Sequence, residues 1–330
     1  MRRIQRKVEE AVGGRLIEMV STRALKKSKL VPKSVDLPRM GLTMNYLERP
    51  SSIAQKNPPT ILLCHGLSDQ AKNLAAFITS LQVPKEVRIL VPDAIGHGTD
   101  LVRAKQDGEQ FEQPTSTSIL ESTSELLQVL NVEKCNAFGY SMGGALVYFL
   151  RYKYPHLVQK TVLVSPSLES CLDTQFIDDF VQGRKNHWCL ESRDDAKRLF
   201  RDLSVPHRSK KDPIPKFLLE AIWRRFVALA PPGHYRAMLE GLLKELGDNS
   251  EFNTSRDLDP KSPRLVFWPE YDFICNHEKG KAFFEHSGRE TQFETLFNCG
   301  HMFHSNGTFI LDTIHAQVSQ YLLDFEPPKN

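Results

Sequence analysis

The sequence predicts an α/β fold, a mostly parallel sheet flanked by helices on both faces. Three observations carry this reading. From residue 42 the chain alternates β-prone runs with helical ones, the pattern of parallel strands joined by helical crossovers. The run Cys135–Tyr140 ends in a glycine-flanked serine, Gly139-Tyr140-Ser141-Met142-Gly143, and passes straight into helical sequence, so strand, cramped turn and helix follow with no loop between them. From about 167 to 259 the alternation stops and bulky apolar residues recur at partial helical spacing, among them Phe176, Phe180, Leu199, Phe217, Trp223, Phe226, Met238 and Leu242. A helical insertion fits that stretch.

Taken in order, residues 42–47 read as an edge strand, Thr60–Cys64 as a buried strand and 73–81 as a helix. Residues 88–91 form a second buried strand that stops at Pro92-Asp93. A helix over 117–130 opens on Ser and Thr, Cys135–Tyr140 is the strand before Ser141, 143–152 is the helix after it, and 161–164 is the next strand. Strands resume at 264–268 and 293–297, and a helix over 309–325 closes the chain. Ahead of all this, Ile4, Val8, Val12, Leu16, Val20 and Ala24 recur at four-residue steps among Arg, Lys and Glu. Gly13-Gly14 interrupts them at ~1 kcal/mol per glycine, which predicts two short pieces or a marginal helix. A membrane-surface helix and a solvated leader both remain open, and residues 32–38 read as a linker. The organisation expected is a basic leader over 1–39, a core over 40–166 and 260–330, and a helical cap over 167–259.

A length of 330 residues suits one large domain with an insertion, or two small ones, and a composition of 40% hydrophobic and 25% charged residues sets disordered and fibrous classes aside. The overall charge of +3 is uneven: residues 1–39 hold eleven Lys or Arg against four acids, a net +7, so the rest carries −4. That points the leader at an anionic lipid surface or a targeting receptor. No basic face with interleaved aromatics follows, which argues against nucleic acid. Six scattered cysteines without C-x-x-C or metal-like spacing read as buried free thiols of a reducing, intracellular compartment. No run approaches ~18 apolar residues, and residues 1–20 lack the apolar stretch of a secretory signal.

Ser141 in that turn is the candidate nucleophile. A serine hydroxyl needs a histidine to take its proton and a carboxylate to hold that histidine in the right tautomer. Asp272 and His301 follow at the ends of two later strands, in the order Ser, Asp, His. Glu270 competes for the acid role but reads as a turn residue, Asp173, Asp178 and Asp179 sit in cap-like sequence, and His304 reads as exposed. His65-Gly66-Leu67 after a strand forms a turn that aims amides at a carbonyl oxygen, so Leu67 and Met142 are the oxyanion donors, each worth ~2.7–4 kcal/mol in the transition state. His65 itself reads as structural. The segment Gly96-His97-Gly98 lacks the third glycine of a dinucleotide fingerprint and reads as a structural loop near the site mouth. No metal or cofactor is implied.

The segments HGLSDQAKN, VPDAIGHGT, GYSMGGALVYFLRYKYP, LVSPSLESCLDTQFIDDF and LFNCGH together resemble the α/β-hydrolase superfamily over residues 40–325. Within it they are similar to the monoacylglycerol lipase branch, the α/β-hydrolase domain protein six type. That resemblance implies an α/β-hydrolase fold with a helical cap inserted after the sixth strand, and hydrolysis of a monoacylglycerol or similar lipid ester through Ser141, Asp272 and His301. Three positions depart from it. A basic leader stands where those lipases carry a membrane span. Met302 stands where the related C–C bond hydrolases place Trp, and Asn306 where the related acyltransferases place Asp. Epoxide hydrolases and haloalkane dehalogenases resemble the scaffold with aspartate in place of Ser141. The expected activity is therefore a serine carboxylester hydrolase, with C–C bond or thioester hydrolysis on the same residues as one alternative and a non-catalytic binding protein as another.

Overall fold

Apolar runs spaced along the sequence pair, with more polar strands at the two edges, into one sheet of eight strands: β1 (Val31–Leu37), β2 (Leu42–Arg49), β3 (Thr60–Cys64), β4 (Arg88–Pro92), β5 (Cys135–Tyr140), β6 (Val158–Val164), β7 (Arg264–Tyr271) and β8 (Thr291–Gly300). The computed structural model describes residues 2–98, 113–184, 193–204, 214–230, 233–248, 252, 254, 257–285, 287–304 and 308–325. The strand order is β1-β2-β4-β3-β5-β6-β7-β8; β1, β2 and β4 pair antiparallel, and β4 through β8 run parallel. In register, Leu62 faces Ala137 and Gly139 faces Leu163. Every residue of β3 is buried. Ile61 and Leu63 enter one hydrophobic cluster and Leu62 and Cys64 the other, so helices cover both faces of the sheet. The mostly parallel α/β architecture expected from the sequence is the one found.

Ten helices are described: α1 (Arg2–Ser28), α2 (Ala75–Ser80), α3 (Ser116–Val129), α4 (Met142–Lys153), α5 (Thr174–Val181), α6 (Arg193–Asp202), α7 (Lys216–Leu229), α8 (His234–Asp248), α9 (His277–Phe284) and α10 (Leu311–Leu323). Local chemistry starts several of them. Thr115 and Ser118 exchange side-chain and backbone bonds in a capping box ahead of α3, Asp173 caps α5 through the Phe176 amide, and Asn276 caps α9 through Lys279. Helices α5 to α8 lie in the chain between β6 and β7. Among the described residues no helix is long and apolar enough to cross a membrane.

Expectations for the first fifty residues are corrected in two places. Residues 32–38, read as a linker, are the edge strand β1, and 42–47 belong to the second strand, not the edge. β1 hides from a hydrophobic-pattern search because only Leu37 is buried in it. Pro32 has no N–H to donate, which an edge strand tolerates. β1 is tied down by Lys33, whose ammonium lies 2.6 Å from the enclosed Glu48 carboxylate that Arg88 also meets at 2.7 Å. The second correction is α1, which runs unbroken through Gly13-Gly14. Tertiary packing outweighs the glycine penalty there.

The sixth strand does precede the inserted helices, and β1 makes up that count. Cys64, Cys135, Cys171, Cys275 and Cys299 are buried free thiols. Cys189 and Asn306 lie outside the described residues, and so does the side-chain placement of Phe226.

Candidate active site

All parallel strands of the sheet end on one side, so residues far apart in sequence converge there. β5 delivers Ser141, β6 Ser165, β7 Asp272, β8 His301 and β3 the loop from His65. At Ser141 the backbone takes φ 55° and ψ −120°, a conformation foreign to L-residues, as the chain reverses from strand into helix. Close approach makes the flanking glycines obligatory: a Cβ on Gly139 would sit 2.1 Å from the Gly143 carbonyl oxygen, and one on Gly143 2.4 Å from that of Cys64.

The Ser141 hydroxyl donates to Nε2 of His301 at 3.0 Å, and Nδ1–H of His301 donates to Oδ2 of Asp272 at 2.7 Å. A carboxylate only accepts, so the proton sits on Nδ1 and the free lone pair of the ring faces the serine. Asp272 receives two further amides on Oδ1, from Ile274 at 2.9 Å and Cys275 at 2.8 Å. All three side chains are buried.

Two residues the sequence reading left out complete this arrangement. Ser165, at the end of β6 with φ 46°, donates its hydroxyl to Asp272 Oδ2, and its Oγ lies 3.5 Å from His301 Nδ1. Tyr140 donates to the His301 carbonyl at 2.6 Å and lays its ring 5.3 Å from the imidazole. Burial, then the Asp272 charge, pushes the Tyr140 phenol well above its ordinary range and keeps it a donor. The one available signal was place: Tyr140 adjoins Ser141, and Ser165 closes a strand beside the elbow.

The competing acids are engaged elsewhere. Glu270 accepts the Asn298 amide at 2.9 Å, Asp173 caps α5, Asp179 pairs with Arg184 at 2.8 Å, and Asp178 is exposed. His304, expected exposed, is half-buried in a turn where it bridges Cys299; its Nε2 has no partner among the described residues, and burial lowers its pKa.

A cavity of about 90 Å³ opens at Ser141. The core supplies Leu67, Ile119, Met142 and Ile274 to its wall, and the inserted helices supply Phe176, Leu239, Leu242 and Leu243. Other bulky residues of the insertion, Phe180, Leu199 and Met238, pack away from it as core. Gly66 abuts Ser141, its Cβ position lying 3.4 Å from the serine Cβ. Among the described residues neither the Leu67 nor the Met142 amide donates to a protein acceptor.

His65 holds this loop. Its Nε2 accepts the Ala94 amide at 3.1 Å, so Nδ1 carries the proton and donates to the Gly66 carbonyl at 2.8 Å. His97 accepts the Ser68 amide at 3.1 Å, Asp93 accepts that of Ala71 at 2.6 Å, and His234 donates to the Gly96 carbonyl at 3.0 Å, which joins the loop to α8. Burial, then His65, holds the His97 imidazole well below its ordinary 6.5. The folded chain keeps it neutral while the unfolded chain gains a proton as pH falls through about 6.5. Its stabilisation is complete above that pH and is lost below it. Tm is therefore expected to drop between about pH 7 and 5, with a shallower drop in His97→Gln. Parallel Tm-against-pH curves for the two proteins would show that His97 does not carry the effect.

Asp272, Cys275 and His301 also bring potential ligand atoms within 4.8 Å of one another. Their chemistry does not suit a metal. The carboxylate is filled by hydrogen bonds, and burial, then Asp272, pushes the Cys275 thiol well above its ordinary range, so it stays protonated.

A family model described as the alpha/beta hydrolase fold matches residues 59–308. The chain belongs to the α/β-hydrolase family. An uncharacterised protein of Mycobacterium tuberculosis is 30% identical over 107 residues, 32% of this chain and 29% of that protein, so the chain matches under a third of the length of such relatives. The sn-1-specific diacylglycerol lipase ABHD11 of Mus musculus is 23% identical over 83% of each chain. Among solved structures, lip1 of Acinetobacter baumannii AYE superposes with a TM-score of 0.71 at 19% identity, covering 93% of this chain and 95% of its own. A bacterial membrane phospholipase A gives 0.67 at 19%, covering 94% and 90%. At such identity these structures establish the fold. The chain thus carries the α/β-hydrolase fold, and the structures it superposes on include a lipase and a phospholipase.

Proposed function

We propose that this α/β-hydrolase is a serine carboxylester hydrolase of lipid-like esters, with monoacylglycerols as its substrate class. One observation carries the reading: the hydrogen-bonded chain Asp272–His301–Ser141 opens onto an apolar cavity beside two amides that point at no protein acceptor. Ser141 Oγ attacks the ester carbonyl as His301 Nε2 takes its proton. The oxyanion is bound by the amides of Leu67 and Met142. Asp272 stabilises the imidazolium, which then passes the proton to the departing glycerol oxygen and leaves an acyl-serine. Water, deprotonated by the same Nε2, attacks that acyl group and releases the fatty acid. Ser165 and Tyr140 hold Asp272 and His301 in place. The mouse relative's name, a diacylglycerol lipase, supports a glycerolipid.

The cavity wall predicts how the rate depends on acyl length. Each buried CH₂ contributes ~0.8 kcal/mol, about a fourfold gain in kcat/KM. A p-nitrophenyl ester series from acetyl to dodecanoyl is expected to climb until the cavity is full, with acetyl the poorest, and a fluorophosphonate is expected to label Ser141. A flat or falling series, measured below each ester's solubility limit, would reject the lipid reading in favour of a small polar substrate. Release of glycerol from a monoacylglycerol, measured against a diacylglycerol of the same acyl chain, tests the head group.

A further inference from the structure

We propose that the outward face of α1 is a docking surface for an anionic lipid bilayer. The inner face of the helix is committed to the protein. A Cβ on Gly13 would lie 2.4 Å from the Phe217 carbonyl oxygen and 2.9 Å from Ala221 Cβ, so α1 crosses α7 in backbone contact at that glycine. One end of α1 is held as well, because Ala24 and Leu25 pack on the core cluster that contains Leu30. A helix fixed in this way presents its opposite face to solvent without freedom to roll.

That opposite face is apolar and cationic together. Val12 and Met19, 55% and 61% exposed, turn away from Gly13, and Val20, 52% exposed, flanks the buried face because it follows Gly13 by seven residues, about two turns. Arg15, Arg23, Lys26 and Lys27 are exposed as well, and among the described residues none of the four pairs with a carboxylate. Glu18 is the one acid in residues 12–28. Three large apolar side chains in a field of cations suit a bilayer surface, where the former reach the acyl boundary and the latter meet anionic headgroups. The +7 of residues 1–39 against −4 for the rest directs a negative surface to this helix. A nucleic acid fits less well, since no aromatic residue precedes Tyr46 to stack on bases. Docked in this way, α1 holds α7 near the lipid, and α7 belongs to the same insertion whose α8 lines the cavity. The surface itself does not depend on which ester is cleaved.

Co-sedimentation of the full chain with vesicles tests this directly. Partition onto phosphatidylcholine vesicles with about 30% phosphatidylserine is expected to exceed partition onto pure phosphatidylcholine by at least about tenfold, and to weaken as salt rises. Each cation removed costs about fivefold, so Arg23→Ala with Lys27→Ala should lose roughly 25-fold on the anionic vesicles. Met19→Ser with Val20→Ser should lower partition on both vesicle types. Both double variants should keep the wild-type Tm and the rate on a short soluble ester. Should the chain hydrolyse no ester at all, the Tm still reports folding and the vesicle result still stands. Equal partition onto the two vesicles, no loss in either double variant, or capture by heparin that vesicles fail to displace would overturn the proposal.

Discussion

Ser141→Ala is expected to lower kcat on p-nitrophenyl esters by about 10⁶, the size of loss that removal of a triad serine brings, with the residue of activity coming from binding and the two amides. Ser141 Oγ is the hydroxyl that meets the free lone pair of His301. Ser165 cannot replace it, because its proton is committed to Asp272 on the far side of the ring. The backbone allows a second reading of the same position. At φ 55° and ψ −120° a β-carbon is held against its preference, at a cost of about 1–3 kcal/mol that glycine escapes. Ser141→Gly should therefore be as inactive as Ser141→Ala and measurably more resistant to heat. If purified Ser141→Ala keeps more than a few per cent of wild-type activity, the nucleophile lies elsewhere.

Asp272→Asn should cost about 10⁴ in kcat, and the hydrogen bonds say how. The amides of Ile274 and Cys275 both demand an acceptor at Oδ1. An asparagine must turn its carbonyl oxygen to them, which leaves its NH₂ facing His301 Nδ1. The ring then carries its proton on Nε2 and has no lone pair for the serine. Glu270→Gln should stay close to wild type, since among the described residues Glu270 Oε2 accepts a backbone amide, that of Asn298, which a glutamine oxygen can also accept. The opposite ranking of the two variants would move the acid to Glu270.

Much of this site is legible in the sequence because it is local. A strand, a glycine-flanked serine and a helix occupy consecutive residues, and the apolar runs of β3 to β7 follow from burial on both faces. Misreadings fall where the deciding contact is distant. Gly13 looks like a helix breaker until Phe217 of the insertion is found against it, and β1 looks like a linker until Glu48 gathers Lys33 and Arg88. The strand end and the order Ser, Asp, His favour Asp272 over Glu270 and the acids near residue 175, but its contact with His301 is made only by packing.

The sequence by itself determined the mostly parallel α/β fold, the turn that raises Ser141 and the chain order of the residues that gather around it. Tertiary structure alone decided how closely Asp272 approaches His301, at 2.7 Å, that Ser165 and Tyr140 brace the pair, and which residues of the insertion face the cavity and which face each other. The division has a physical cause. Turns and buried strands are set by the sterics and hydrophobicity of neighbouring residues, whereas the ends of parallel strands meet only after crossovers of tens to a hundred residues have packed. At that point strand register and helix contacts, not spacing along the chain, fix the distances.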